Sequence, residues 1–155
     1  MPVAASAILQ VPWVEALLPA GRRAGIITAD SSNLTPAHLV ATGVAPDAPI
    51  AGTEGGRALT RTFTDKESEY DWADCEADLV DAGRRLLEER PEVGAFVLEC
   101  TNMPPFGTAL ADAFGLPVYD VYTMINWFQM GLRPTRFQRH AHVQAADWQP
   151  NQAAE

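Results

Sequence analysis

The chain has 155 residues, and its 20 Asp plus Glu outnumber 11 Lys plus Arg for a net charge of −9. That excess disfavours nucleic acid, whose phosphates want a basic surface, and likewise an anionic membrane. At 47% hydrophobic and 20% charged the composition is globular, and a domain this long buries roughly 70% of its unfolded surface without disulfide staples.

The two cysteines, Cys75 and Cys100, are too few for a secreted disulfide scaffold or a structural zinc site. No apolar run approaches the ~20 residues of a membrane span. Met1 to Leu18 lacks a basic leader region and is interrupted by Pro12 and Glu15, so it reads as mature structure. The expected compartment is the cytoplasm, with both thiols reduced.

In chain order, Pro2 to Ser6 is short and apolar enough for a buried strand. Ile8 to Leu18 fits a helix loosely, started or kinked by Pro12. After a turn at Pro19 to Arg23, Ala24 to Thr28 is a continuous apolar run, as in a parallel strand buried on both faces. Asp30 to Asn33 is a polar loop. Thr35 and Pro36 open a helix that stops at Gly43. Pro49 to Gly52 is a short strand, followed by a flexible loop to Gly56.

The strongest helical pattern lies between Asp65 and Arg90, where Trp72, Cys75, Leu79, Ala82 and Leu86 recur every three or four residues. Its start is set by Thr64 with Glu67, or by Ser68. Val93 to Cys100 is a second buried strand, and Met103 to Phe114 a helix closed by Gly115. Leu116 to Val121 is a third strand, and Thr123 caps a last helix, Met124 to Leu132. Strands alternate with helices, which predicts an α/β fold with a parallel sheet flanked by helices. Ligands in such sheets bind at the carboxyl ends of the strands.

Two strand ends carry candidate chemistry. Cys100 stands before an expected helix N-terminus, which would stabilise a thiolate, while Thr101 and Asn102 would help hold a carboxylate. A small buried core residue is an equal reading of Cys100. Thr28, Asp30, Ser31 and Ser32 form the second junction, whose residue types also serve ordinary turns. Cys75 belongs to the core stripe of its helix. Glu99 and Asp120 end buried strands, with a place in the cleft and a helix-capping or sheet-edge role as equal readings. Gly52 to Arg57 lacks a phosphate-loop ending, His38 is a helix-surface residue, and His140 with His142 lies in a polar tail without a third metal ligand.

Leu98 to Pro105 (Leu-Glu-Cys-Thr-Asn-Met-Pro-Pro), Gly115 to Asp120 and Asn126-Trp127 resemble the second half of the aspartate/glutamate racemase family. Ala24 to Thr28 and Leu34 to His38 resemble the first strand, loop and helix of its second domain. The resemblance covers about Met1 to Arg133. It implies a flavodoxin-like racemase domain and a cofactor-independent enzyme in which two cysteines, one per domain, exchange the α-proton of an amino acid or other small carboxylate. By position Cys100 matches the second catalytic cysteine. Thr101 and Asn102 match the substrate-facing residues after it, and Thr28 with Asp30, Ser31 and Ser32 matches the other substrate loop. Asn102 stands where some members have His, which leaves the substrate open.

The resemblance further implies a division of the chain. Residues 1–20 would be a remnant of the first domain, 21–121 the second domain, 122–133 a helix returning toward the first, and 134–155 a polar, disordered tail. The family's first cysteine would lie upstream, so the N-terminal domain is expected to be truncated and racemisation weak. The alternatives are a single-cysteine decarboxylase or isomerase of the same superfamily, or a non-catalytic binding or assembly domain, with a homo-oligomer as a further option.

Overall fold

The computed structural model describes residues 2–64 and 71–136. Among these, a four-stranded parallel sheet runs in the order β2-β1-β3-β4, with β1 Arg23–Thr28, β2 Ile50–Gly52, β3 Val93–Leu98 and β4 Val118–Tyr119. All six residues of β3 are buried, as a parallel strand covered on both faces requires. The helices are α1 Val11–Leu17, α2 Pro36–Ala41, α3 Leu59–Thr64, α4 Trp72–Glu89, α5 Gly107–Phe114 and α6 Val121–Leu132. The predicted α/β class is therefore the observed one.

The period of two along β1 and β3 divides the core. Ala24 and Ile26 of β1, with Ala95 and Val97 of β3, face Ile8, Val11 and Val14 and, from α2, Leu39. Ile27, Phe96 and Leu98 face the opposite way, onto Cys75, Leu79 and Leu86 of α4 and Leu110 of α5. Gly25 brings α4 close to the sheet: a Cβ there would stand 2.7 Å from the Leu86 side chain. Gly115, at φ 64°, ends α5 in the left-handed conformation, which a residue without a Cβ adopts readily.

Several boundaries differ from the sequence reading. Pro2 to Ser6 pairs with no strand; the Ser6 side chain instead caps a 3₁₀ turn at Ala7–Gln10 that leads into α1. Its alanines bring too little apolar surface to hold a sheet edge. Thr64 belongs to α3, which the sequence reading missed, and α4 begins at Trp72 with Asp71 as cap, its carboxylate accepting from the Asp74 N–H at 3.0 Å. Glu67 and Ser68 lie outside the described residues.

A 3₁₀ turn at Pro104–Phe106 precedes α5, which begins at Gly107; its two prolines stand in the first turn, where a missing N–H breaks no bond. Asp120, not Thr123, caps α6. The Thr123 N–H donates to the Asp120 carboxylate and the Asp120 N–H to the Thr123 hydroxyl, closing a capping box. Buried Gln10 ties this corner to the N-terminal segment, donating to the Asp120 carbonyl and accepting from the Thr123 hydroxyl. Among the described residues no helix is long and apolar enough to cross a membrane.

Candidate functional site

The strand order changes direction between β1 and β3, both of whose connections lead outward from that pair. The crevice outside the carboxyl ends of two such strands is where α/β sheets place ligands. Thr28 ends β1, and β3 runs through Leu98 into Glu99 and Cys100. Ile27 is the register partner of Leu98, so the next residues, Thr28 and Glu99, also stand side by side. The buried Thr28 hydroxyl donates to the Glu99 carboxylate at 2.8 Å.

A cleft of about 380 Å³ opens there, between the sheet end and α2. Thr28, Glu99 and Asp30 supply its polar wall, with Asn33 and His38 beside them, and Ile8 and Leu34 its apolar wall. Asp30 shapes the loop. Its carboxylate accepts from the Ser32 N–H at 2.9 Å, the Ser32 hydroxyl at 2.6 Å and the Asn33 amide at 2.8 Å. The Ser31 N–H and hydroxyl both donate to Glu54, from the loop after β2. Glu54 is a partner the sequence reading missed, because a glycine-rich loop gives no local signal of where its side chains point.

Cys100 stands on the other side of the same strand end. The alternation that turns Thr28 and Glu99 toward the cleft turns residues 96, 98 and 100 toward α4 and α5, and half-buried Cys100 packs against that core. It does not line the cleft, and neither do exposed Thr101 and Asn102. The two junctions are adjacent, as their pairing requires, but they present Thr28 with Asp30 and Cys100 to different faces of the sheet. The alternation was readable in the sequence; the side that each parity faces was not.

The thiol's electrostatics also differ from expectation. No helix starts directly after Cys100. A turn comes first, then the 3₁₀ segment, and α5 begins at Gly107. Burial pushes the Cys100 thiol above its ordinary value; the Asn102 backbone N–H opposes this, and the charge of Glu99 adds to the rise. At neutral pH Cys100 is therefore a protonated thiol. Cys75, fully buried on α4, is pushed up by burial as well, and the charges of Asp78, Asp71 and Asp74 add to the rise.

His38 caps α2, its Nδ1 accepting from the Thr35 N–H at 3.2 Å. The Gly52 to Arg57 loop is organised by Asp78 of α4, whose buried carboxylate accepts from the N–H groups of Arg57, Ala58 and Leu59 at 2.7, 2.7 and 2.9 Å. His140 and His142 lie outside the described residues. Among those described, no three His, Cys, Asp or Glu side chains gather as metal ligands.

No family model matches the sequence. A dimethylsulfoniopropionate lyase of Durusdinium sp. clade D is 26% identical over 137 residues, 84% of this chain and 44% of the lyase. Dimethylsulfoniopropionate lyase 5 of Emiliania huxleyi (strain CCMP1516) is 27% identical over 135 residues, 82% of this chain and 26% of the lyase. The chain thus spans less than half the length of the curated relatives it matches. The crystal structure of allantoin racemase from Pseudomonas fluorescens superposes with a TM-score of 0.55 at 15% identity, covering 81% of this chain and 50% of the racemase. That likeness is one of fold: the four-stranded parallel sheet with flanking helices is the racemase-like α/β fold.

Proposed function

We propose that this chain supplies one half of a cofactor-independent, cysteine-based enzyme that moves the α-proton of a small carboxylate. The observation that carries the reading is the place of Cys100. It follows β3 by two residues at the β1/β3 switch point, next in sequence to the Glu99–Thr28 pair that walls the cleft, with its thiol turned to the α4 and α5 side. A carbon acid needs a base of matched strength close to the α-carbon and donors for the developing enolate. In this reading Thr28 and the Asp30–Ser32 loop hold the substrate from the cleft, and Thr101 and Asn102, outside the cleft, hold it from the Cys100 side of the strand end. The raised thiol pKa suits Cys100 as the group that returns a proton, with the opposing base supplied from outside residues 2–136.

Amino-acid racemisation is the outcome suggested by the family resemblance. The two sequence relatives favour a second outcome from the same first step. If the carboxylate carries a sulfonium group on its β-carbon, removing the α-proton lets that electron pair form a Cα–Cβ double bond. The C–S pair then leaves with a neutral sulfide. Incubation in deuterated water with an amino-acid panel and with dimethylsulfoniopropionate separates the outcomes. α-Deuteration of an amino acid reports racemase-type exchange, and sulfide in the headspace reports elimination. The α-deuteration signal, which needs a proton returned to carbon, should fall at least a hundredfold in Cys100→Ser, and the sulfide signal, which needs none, should fall less. Equal signals in the two proteins, or none in the wild type, would overturn the proposal.

A further inference from the structure

Glu99 is held at both ends. Its N–H donates to the Ile27 carbonyl at 2.8 Å, which carries the β1–β3 pairing one residue past Leu98. Its carboxylate Oε2 accepts from the buried Thr28 hydroxyl at 2.8 Å. The other oxygen, Oε1, has no hydrogen-bond partner among the described residues. Asp30 is the second carboxylate of the cleft, and its oxygens are taken up by Ser32 and Asn33. Among the described residues no Arg or Lys lines the cleft, and neither carboxylate forms an ion pair. His38 brings no charge, because its Nδ1 accepts from the Thr35 N–H, which a protonated imidazole cannot do. Ile8, Leu34 and Ala41 add apolar wall. A carboxylate half removed from water is stabilised by a cation brought to it.

We propose that Glu99 is a specificity-determining residue: it seats the cationic group of a zwitterionic substrate in the cleft and turns the substrate's carboxylate out toward Thr101 and Asn102. Two carboxylates in the wall repel a third, so an anionic end has no place there. The apolar wall narrows the class further. A bare ammonium has three N–H donors to satisfy, whereas Glu99 offers a single open oxygen beside Ile8, Leu34 and Ala41. An alkylated nitrogen or sulfur cation brings charge to the first and methyl groups to the others. A cation there also offsets the charge of Glu99, which adds to the rise that burial imposes on the Cys100 thiol. The inference rests on the reading of this strand end as a substrate site and names the charge that the site selects.

An NMR titration of the full chain at neutral pH tests it with trimethyl-β-alanine and the isostere in which carbon replaces the nitrogen. The two ligands share shape and carboxylate and differ only in the cation. Wild type should bind the cationic one about tenfold or more tightly, with the amide signals of Thr28 and Glu99 among those that move. Glu99→Gln keeps an acceptor for Thr28 and should lose the preference. Glu88→Gln, exposed on α4 across the sheet, removes the same charge from a molecule of net charge −9 and should keep it. Equal binding of the two ligands by wild type, or binding of neither, overturns the proposal. So does a preference that survives Glu99→Gln or is lost equally in Glu88→Gln. Should Glu99→Gln not fold, the wild-type comparison decides, and shifts that leave Thr28 and Glu99 unmoved overturn the proposal. Binding needs no proton transfer, so this test can fail where turnover succeeds and succeed where turnover fails.

Discussion

Twelve buried residues form the core on the α4 and α5 side of the sheet, among them Phe96, Phe106, Met103 and five leucines. The α1 and α2 side has ten, three of them alanines and none aromatic. The first side is closed by the eighteen-residue α4, whose outer surface carries Asp81 paired with Arg84 and Arg57. On the second, the cover is two short helices and a 3₁₀ turn, leaving the cleft at Thr28 and Glu99 open. The thick side fixes the strands; the thin side leaves room for a ligand. Cys100 is set on the thick side at the point where the two meet.

Truncations on opposite sides put that contrast to its hardest test. Leu79→Ala removes a fully buried side chain from the thick cluster and should lower unfolding free energy by about 2–5 kcal/mol. Val14→Ala, also buried, removes two methyl-sized groups from a thinner layer and should lose only about 1–2 kcal/mol. Urea unfolding of both variants checks the order. Equal losses would mean that the thin side is held as firmly as the thick one, and the contrast fails.

The next effect comes from Asp78, which ties the loop before α3 to the thick side through three backbone N–H groups. Asp78→Ala leaves those donors without their acceptor and should destabilise by about 2–3 kcal/mol. Burial raises this carboxyl's pKa, but its backbone hydrogen bonds and Arg57 outweigh that and hold it below the ordinary value. A depressed folded pKa adds stability above the unfolded pKa that is lost as pH falls through the folded one. Wild type should therefore lose stability more steeply than Asp78→Asn between pH ~5 and the folded pKa, which acid titration of the urea midpoint measures.

The contrast also explains how much was legible in the sequence. Val93 to Cys100 read as a strand, which the structure ends at Leu98, because a run so rich in apolar residues has few other homes in an α/β chain, and α4 read as a helix because its core stripe has a single period. Pro2 to Ser6 misled because small apolar residues suit a strand or a capped turn equally, and Ser6 decided for the turn. The site was legible one strand end at a time. Thr28 and Cys100 read as strand-end residues, but the sequence does not say that they face one cleft. The sheet's alternation gives Thr28 a wall of the cleft beside Glu99 and turns Cys100 to the other core. Gln10, Glu54 and Asp78 act across 19 or more residues of sequence, so no local pattern marks them.

The smallest effect is also the most direct on the boundary between the two sides. Both thiols are raised above the ordinary value, Cys75 inside the thick core and Cys100 at its edge. Alkylation needs thiolate and access together. Cys100 should therefore react first, and Cys75 only at the rate of local or global unfolding. Because the Cys100 pKa is raised, its labelling rate should climb with pH and continue climbing past the ordinary thiol midpoint. Glu99→Gln removes the neighbouring charge, a lesser influence than burial, so the profile should move modestly to lower pH while remaining above that of a free thiol. Labelling of single-cysteine variants at several pH values measures this. A profile unmoved by Glu99→Gln would show that the cleft's carboxylate and the thiol behind it are electrostatically separate. The open side and the thick side would then share a strand without sharing a site.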